Sequence, residues 1–320
     1  MSPVDLSIII VNWNGRDLLR QCLEAIEVAS AGLHLETLVV DNASTDDSAQ
    51  MVAAEFPQVR LIHNTSNAGF ARANNQAAAV SRGRCLFFLN SDALVKPDCL
   101  RLLVGFLQAN PNVGMVGPRL LEPDGRPQRS YRGRPTVAAL LHRLTLLKWT
   151  GFFRRPYERY RRAAFNPDRL REVDTVLGAA VCLPRAVFFE HGGWDDQFPF
   201  GLEDFDLSAR IARSHPVVFF PGAEVVHFGR MSSRRNAGYA FVGVECGYAR
   251  YTRKHLLGPA GLACYKLLVT LNLPFAVAAE AVRELWRRCR RGPAGLDRPH
   301  SELAPLWHFA TRGLGLFWRS

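Results

Sequence analysis

The strongest constraint on this chain is an alternation near its start. Between residues 6 and 118, short apolar runs alternate with stretches of helical periodicity. Leu6–Val11 reads as a buried strand, Leu18–Ala29 as a helix, and Leu35–Val40 as a strand that ends at Asp41. Ser44 opens the next helix, with Asp47 three residues on, the carboxylate variant of a capping pattern. Val59–Ile62, Cys85–Leu89 and Val113–Val116 continue the strands, and Ala68–Ser81 and Pro97–Ala109 the helices. Strands that are apolar throughout need cover on both faces. The pattern therefore predicts an α/β domain with a mostly parallel sheet and helices on both sides. Ligands of such sheets bind beyond the carboxyl ends of the strands. Asn12, Asp41, Asn64 and Asp92 all fall there.

The pattern loosens from Glu122 to Asp174, where Pro123-Asp-Gly125 signals a turn, and returns at Val173. Pro184–Glu190 and Glu203–Ser214 read as helices, and Val217–Phe220 and Glu224–His227 as strands. Leu256–Ala279 is strongly apolar but interrupted by Lys266, Asn272 and Pro274, and a run of arginines follows from Arg283. The uninterrupted stretch is shorter than the ~20 residues of a spanning helix, so an interfacial helix with a basic flank is expected.

Composition narrows the function. Of 320 residues 48% are hydrophobic and 22% charged, which fits a folded chain. The net charge of +11 attracts polyanions, and its basic clusters lie at Arg126–Arg162 and Arg283–Arg298, outside the sheet segments. No nucleic-acid-binding signature accompanies them, so no nucleic-acid partner is expected. There is no GxGxxG after the first strand and no GxxxxGK[ST], which disfavours dinucleotide oxidoreductases and P-loop enzymes. Seven cysteines form no CxxC pair and suggest no zinc site; they read as free, buried thiols of a reducing compartment. The opening residues do not form a signal peptide, so the cytoplasm is the default.

Several clusters carry chemistry, each beside a plain structural reading. Asp92, just past an apolar strand, suits a hard divalent cation that bridges to a diphosphate, or it caps a turn. Asp41 suits a base imide or a ribose hydroxyl, ahead of a helix start that offers N–H groups to an anion, or it makes an ordinary turn. Gly69 permits close backbone approach, and Asn74 and Asn75 are odd in an alanine-rich helix, pointing to a ligand or to neighbouring loops, or equally to structural hydrogen bonds. In Gly192–Arg210, Trp194, Phe198 and Phe200 offer aromatic surface for a sugar, while Glu203 and Asp204 offer a base for a weakly nucleophilic hydroxyl or merely complement a helix dipole. His227, ending a strand, is a candidate metal ligand if it stands opposite Asp92.

Ile8-Ile-Ile-Val-Asn-Trp-Asn14, Val40-Asp-Asn-Ala-Ser-Thr-Asp46, Asn67-Ala-Gly-Phe-Ala71, Leu89-Asn-Ser-Asp92, Glu203-Asp204 and His227 occur in the order seen in inverting family 2 glycosyltransferases. Over roughly residues 5 to 255 the chain resembles the bacterial rhamnosyltransferase branch of that family. The resemblance implies the GT-A nucleotide-diphospho-sugar transferase fold, with a mostly parallel Rossmann-like sheet. Residues 1–255 would be catalytic and residues 256–320 a helical, basic and apolar, membrane-associating extension. It implies that Asp41 reads the base and that Asn12, Asn14, Asn67, Gly69, Asn74 and Asn90 line the donor site. Gly178 and Ala179 would line the sugar pocket, and Asp92 and His227 would hold Mg²⁺ or Mn²⁺. Asp204 would be the general base, with Glu203 orienting it or the acceptor, and Trp194 and Phe200 would stand on the acceptor side. The DxD position reads Asn-Ser-Asp, so only one carboxylate is available there.

The resemblance further implies a nucleoside-diphosphate sugar donor, dTDP-L-rhamnose or a UDP-sugar, and a glycan or lipid-diphosphate-linked acceptor. Apolar stretches flanked by arginine at Thr136–Arg162 and Leu256–Arg291 fit a peripheral position at the inner membrane face, or a packed helical pair with a solvated basic face. Other classes remain. A nucleotidyltransferase would need a glycine- and lysine-rich phosphate loop, which is missing. An inactive scaffold or polyanion-binding protein sits poorly with the intact Asp92, Asp204 and His227.

Overall fold

The structure, a computed structural model, describes residues 4–30, 32–162, 165–198, 200–229, 237–289 and 302–320. Ser232, Arg290 and Arg291 lie outside them. The chain forms two compact units. The first comprises Met1–Arg134, Ala163–Pro199 and Glu203–Ser232; the second comprises Pro135–Arg162, Phe200–Leu202 and Ser233–Ser320. The second unit thus takes in residues on both sides of Leu256, where the sequence reading put the start of the extension.

In the first unit the strands β1 (Leu6–Asn12), β2 (Leu35–Asp41), β3 (Arg60–His63) and β4 (Cys85–Asn90) form a parallel set in the order β3-β2-β1-β4. The helices α1 (Arg16–Ala29), α2 (Ser48–Glu55) and α3 (Phe70–Val80) connect them. Strand β5 (Ala93–Val95), helix α4 (Cys99–Ala109), strand β6 (Met115–Leu121) and the short β7 (Pro127–Gln128) and β8 (Tyr131–Arg132) follow. Alternating residues face opposite sides of the sheet. Ile8, Ile10, Phe87 and Leu89 enter one core; Ile9, Leu38, Leu86 and Phe88 enter the other. Each such side chain contributes roughly 1.5–3 kcal/mol by leaving water, which explains the unbroken apolar runs.

The helix predicted from Ser44 begins four residues later, at Ser48. The Ser44 N–H donates to the Asp41 carboxylate at 3.1 Å, and its hydroxyl accepts from the Asn14 N–H at 3.0 Å. Those bonds hold Ser44 in a turn, a common alternative to helix for serine beside aspartate. The strands read at Val217–Phe220 and Glu224–His227 are one strand, β12, with an irregularity between Phe220 and Glu224. Before it come β9 (Arg171–Glu172), β10 (Thr175–Val176), β11 (Ala180–Pro184), α8 (Arg185–Glu190) and α9 (Glu203–Ile211). Sequence periodicity missed β11, which inserts antiparallel between β4 and β6. β12 runs parallel to β6 and carries β5 on its other edge.

The second unit is helical. It contains α5 (Val137–Leu141), α6 (Thr145–Thr150), α7 (Arg154–Arg162), α10 (Ala237–Tyr251), α11 (Pro259–Cys289), α12 (Leu303–His308) and α13 (Leu314–Arg319). α11 runs unbroken through Lys266, Asn272 and Pro274, the residues that interrupt its apolar stretch. Residues Pro259–Trp286 are long and apolar enough to cross a membrane by length and composition. Lys266 and Asn272 have partners inside the unit. The Lys266 ammonium donates to the carbonyls of Trp318 and Ser320 at 3.0 and 2.7 Å, and the Asn272 side chain accepts from the Thr145 N–H at 2.7 Å. The Arg143 guanidinium pairs with Glu245 and lies over the Tyr248 ring at 3.8 Å, while Tyr160 and Tyr248 share a 2.7 Å hydroxyl bond.

Candidate active site

The register of the sheet sets the site. Asn12 is level with Asp41, and Val11 with Asn90, so the ends of β1, β2 and β4 form one edge. The chain leaves β1 toward β2 and leaves β4 toward the opposite side of the sheet, giving between them the crevice in which such sheets bind ligands.

Two buried acceptors face this edge without donors. Asn12 is 0% exposed and Asp41 2%, and the Oδ1 atom of each has no hydrogen-bond partner. The other side-chain atoms are engaged: Asn12 Nδ2 donates to Ser44 Oγ at 3.3 Å, and Asp41 Oδ2 accepts from the Ser44 N–H. An unmet buried acceptor costs about 1–3 kcal/mol, so a ligand bringing N–H or O–H groups would recover that energy. A Cβ at Gly15 would lie 2.8 Å from Asn12 Oδ1, so glycine there leaves that oxygen room.

The other predicted donor residues build the surrounding loops. Asn14 takes a left-handed backbone (φ 54°) and accepts the Thr45 N–H at 2.7 Å. Asn67 accepts from the Gly69 N–H at 2.9 Å and from the Asn42 amide at 3.1 Å. Gly69, with φ +81°, caps α3 in a conformation side chains rarely adopt. Sequence reading missed Asn42, whose amide also donates to Gly69 O and accepts from Asn64 and Ala68. Asn74 is buried and its amide nitrogen donates to Phe70 O one turn back, the structural hydrogen bond that stood beside the ligand reading. Asn75 serves the neighbouring loop, bonding both the N–H and the carbonyl of Trp194.

Asp92 and His227 do come together. His227 Nε2 lies 3.4 Å from Asp92 Oδ1 and 3.5 Å from the Asn90 amide nitrogen. Gln128, not foreseen from sequence, orients the ring. Its amide nitrogen donates to Glu122 at 3.0 Å and to His227 O at 3.4 Å, so its oxygen accepts from His227 Nδ1 at 2.8 Å. In neutral imidazole the Nε2 lone pair then faces a carboxylate oxygen. Two electron-rich atoms that close call for a cation, either a proton on Nε2 or a metal ion. Their spacing suits two ligands at ~2.1 Å from one ion. The donor set therefore fits a divalent cation.

Asp204 sits in the first turn of α9, with Glu203 half-buried at the helix start. Its Oδ2 accepts the Gly178 N–H at 3.1 Å and its Oδ1 the Phe205 N–H at 2.9 Å. Burial raises its pKa above the ordinary carboxylate value, while these two bonds and the charge of Arg132 pull the other way. Gly178 thus positions the carboxylate. Ala179, buried beside it, accepts the Asn90 N–H at 3.0 Å and ties this strand to the Asn-Ser-Asp turn. Asp206 is fully buried and paired with Arg210, whose other nitrogens hold the carbonyls of His191 and Gly193.

The aromatic expectation is corrected at Trp194. It is 1% exposed and packs edge-on against Phe70 and Phe88, at 5.5 and 5.2 Å between ring centres, so it presents no face to a sugar. Phe200 belongs to the second unit, half-buried, with its Cβ where a side chain on Gly243 would sit.

Cysteines 22, 85, 99, 182 and 246 are free and buried as expected, while Cys264 is exposed. Burial pushes the Cys99 thiol up to about 12.

Residues 7–169 match a family model described as "Glycosyl transferase family 2". The chain is 26% identical over 245 residues to N-acetylglucosaminyl-diphospho-decaprenol L-rhamnosyltransferase of Mycobacterium tuberculosis, covering 72% of this chain and 78% of that one. It is 30% identical to the O-antigen biosynthesis protein RfbC of Myxococcus xanthus over 83% of this chain, spanning 20% of RfbC. Among solved structures it is similar to the mannosyltransferase PcManGT from Pyrobaculum calidifontis in complex with GDP-Man and Mn²⁺. That match has a TM-score of 0.53 and 19% identity, over 100% of this chain and 88% of that one. GalNAc-T7 with UDP, GalNAc and Mn²⁺ also aligns, at TM-score 0.53 and 17% identity, over 70% of this chain and 43% of that one. The fold is that of GT-A glycosyltransferases.

Proposed function

The chain belongs to glycosyl transferase family 2, and on that premise we propose that it transfers a sugar from a nucleoside-diphosphate donor to a glycan or lipid-diphosphate-linked acceptor, with inversion. The observation that carries this reading is the pair of unmet acceptors, Asn12 and Asp41, on the same sheet edge as Asp92 and His227. A nucleoside supplies the N–H and O–H groups the first pair lacks. Asn14, Asn67 and Gly69 hold the loops around it, and Asn90, Gly178 and Ala179 join the edge to the sugar side.

Asp92 and His227 would hold Mg²⁺ or Mn²⁺. Such an ion, when bound, offsets the charge that develops on a departing diphosphate. Asp204 accepts the acceptor hydroxyl's proton as the oxygen attacks the anomeric carbon from the face opposite the leaving group. Gly178 and Phe205 aim that carboxylate, and Glu203 orients it or the acceptor. We take L-rhamnose from dTDP-L-rhamnose as the donor, supported by the similarity to the mycobacterial rhamnosyltransferase; a UDP-sugar donor is the second reading. Cell-surface polysaccharide synthesis is the corresponding process.

The second unit supports a position on a membrane at its cytoplasmic face. Leu267, Leu268, Leu271, Phe275, Val282, Leu285 and Trp286 of α11 are exposed. At about 100° per residue they fall in one sector roughly 100° wide. Leu262, Tyr265, Lys266, Leu273 and Glu280 are buried on the opposite side. A helix with Lys266 and Glu280 inward and an apolar stripe outward suits lying in a bilayer surface. Residues 1–255 would then carry catalysis and 256–320 membrane association.

Purified protein would be incubated with Mn²⁺ and a panel of dTDP-, UDP- and GDP-sugars, with membrane lipid extract as acceptor source. We expect nucleoside-diphosphate release from one donor, abolished by EDTA, by Asp204→Asn and by Asp92→Ala. No release from any donor would refute the transferase reading, and release insensitive to EDTA would refute the metal.

A further inference from the structure

A second group of metal-ligating side chains lies outside the sheet edge, where α8 and α9 end. We propose that Glu190, His191 and His215 form a cation site for a borderline transition-metal ion of the zinc class, separate from Asp92 and His227. One ligand atom from each of the three lies within 4.8 Å of the others. His215 Nε2 is 3.9 Å from Glu190 Oε2, and the two imidazole rings stand perpendicular with centres 5.8 Å apart.

The tautomer of His215 suits a ligand. Its Nδ1 lies 3.3 Å from the Asn112 carbonyl, which can only accept, so in neutral imidazole Nδ1 carries the proton and Nε2 offers its lone pair on the side of Glu190. A backbone carbonyl on the far nitrogen is the usual outer support of a metal-bound histidine. Ser214 Oγ stands 3.1 Å from His191 Nε2 and adds a polar group at the same place. A spacing of 3.9 Å is slightly wider than two ligands at ~2.1 Å from one ion require, and a small side-chain rotation closes it.

The backbones that carry these ligands are fixed. Arg210 bonds the His191 and Gly193 carbonyls while paired with buried Asp206. A Cβ at Gly114 would fall 2.4 Å from His215 Cβ, so the His215 main chain is seated closely against the start of β6. Two imidazoles and a carboxylate favour zinc, copper or nickel over magnesium or calcium. An ion there clamps the end of α8 to the chain beyond α9, closing the segment Glu190–His215 that contains Glu203 and Asp204. The site is structural, and it predicts that zinc binds whether or not the sheet edge is intact.

The test uses tag-free full chain, stripped with chelator and titrated with Zn²⁺ by calorimetry, alongside thermal unfolding with and without the ion. To silence the sheet edge, Asp92→Ala and His227→Ala are combined. That variant is expected to keep one zinc equivalent and a zinc-dependent rise in melting temperature. Adding His215→Gln or His191→Gln should weaken binding at least about 100-fold, as ligand loss should exceed the 10–100-fold cost of losing an outer support, and should remove the rise. Equal metal-free melting temperatures would show that the added substitutions leave the fold intact. The proposal is overturned if the sheet-edge variant binds no zinc, or if either histidine substitution leaves its affinity unchanged. Because no activity is read, the result is independent of the transferase reading.

Discussion

In the first unit, apolar side chains fill both faces of the sheet and the polar groups collect along one edge. In the second, Glu245 and Lys266 are inside and Arg143 is half-buried, while Trp149, Phe152, Leu271, Phe275, Trp286 and Trp307 are exposed. Water explains the first arrangement, since apolar burial drives folding and the unmet acceptors wait for a ligand. It does not explain the second, whose exposed apolar residues are what the proposed membrane surface would cover. In the proposed reading, one unit binds a solute and the other rests on an interface.

The comparison breaks or sharpens under substitution. The largest effect is expected from Asp204→Asn, which removes the proposed base: kcat should fall by about 10²–10⁴-fold with unchanged circular dichroism. In the native enzyme the base must be ionised, so kcat/KM should fall as pH drops through the Asp204 pKa. Because burial raises that value, the acid limb should lie above the 3.8 of an ordinary aspartate. A pH–rate profile measures it, and a limb at or below 3.8 would contradict the assignment.

Arg143→Ala should be the most damaging change to stability in the second unit. It strands the buried Glu245 carboxylate, a loss of about 3–5 kcal/mol in denaturant unfolding. An unchanged midpoint would mean the second unit does not depend on its polar interior.

Gln128→Ala leaves both proposed ligands in place but frees the His227 ring. Apparent Mn²⁺ affinity should weaken about 10–100-fold, read as a shift of the metal-activation curve with the plateau kept. Asp41→Ala should raise the donor KM about tenfold or more, as a charged hydrogen bond of roughly 1.5–3 kcal/mol is lost. Metal activation should not change, which separates the two ends of the edge.

The smallest effect on folding should come from Leu271→Glu with Phe275→Glu. These exposed positions should change stability by no more than about 0.5 kcal/mol each. Co-sedimentation with anionic vesicles should nevertheless drop sharply, while donor hydrolysis in solution stays level. Undiminished vesicle binding would remove the interfacial reading and leave the apolar stripe to another partner.

The sheet was legible in the sequence because its information is local. Val11-Asn12, Val40-Asp41 and Leu89-Asn90 each show an apolar run stopping at a polar residue, and strand packing makes that pattern unavoidable. β11 was missed because five residues that end on Pro184 carry little periodicity, and its antiparallel place between β4 and β6 comes from contacts distant in the chain. Trp194 misled for a related reason. A tryptophan beside glycines looks the same whether it faces solvent or fills a core, and only Phe70, Phe88 and Asn75 decide that it is inside.

By itself, the sequence determined the α/β class, the edge on which Asn12, Asp41, Asn90 and Asp92 stand, and the apolar character of residues 256–279. These follow from residue order and periodicity, which need no knowledge of partners. Only the tertiary structure decided that His227 lies 3.4 Å from Asp92, that Gln128 sets its tautomer, and that Gly178 holds Asp204. It alone turned Lys266 and Asn272 inward and paired Glu190 and His191 with His215. Each of these joins residues 20 or more positions apart, or sets which side of a helix is covered, and such contacts exist only once the chain has packed.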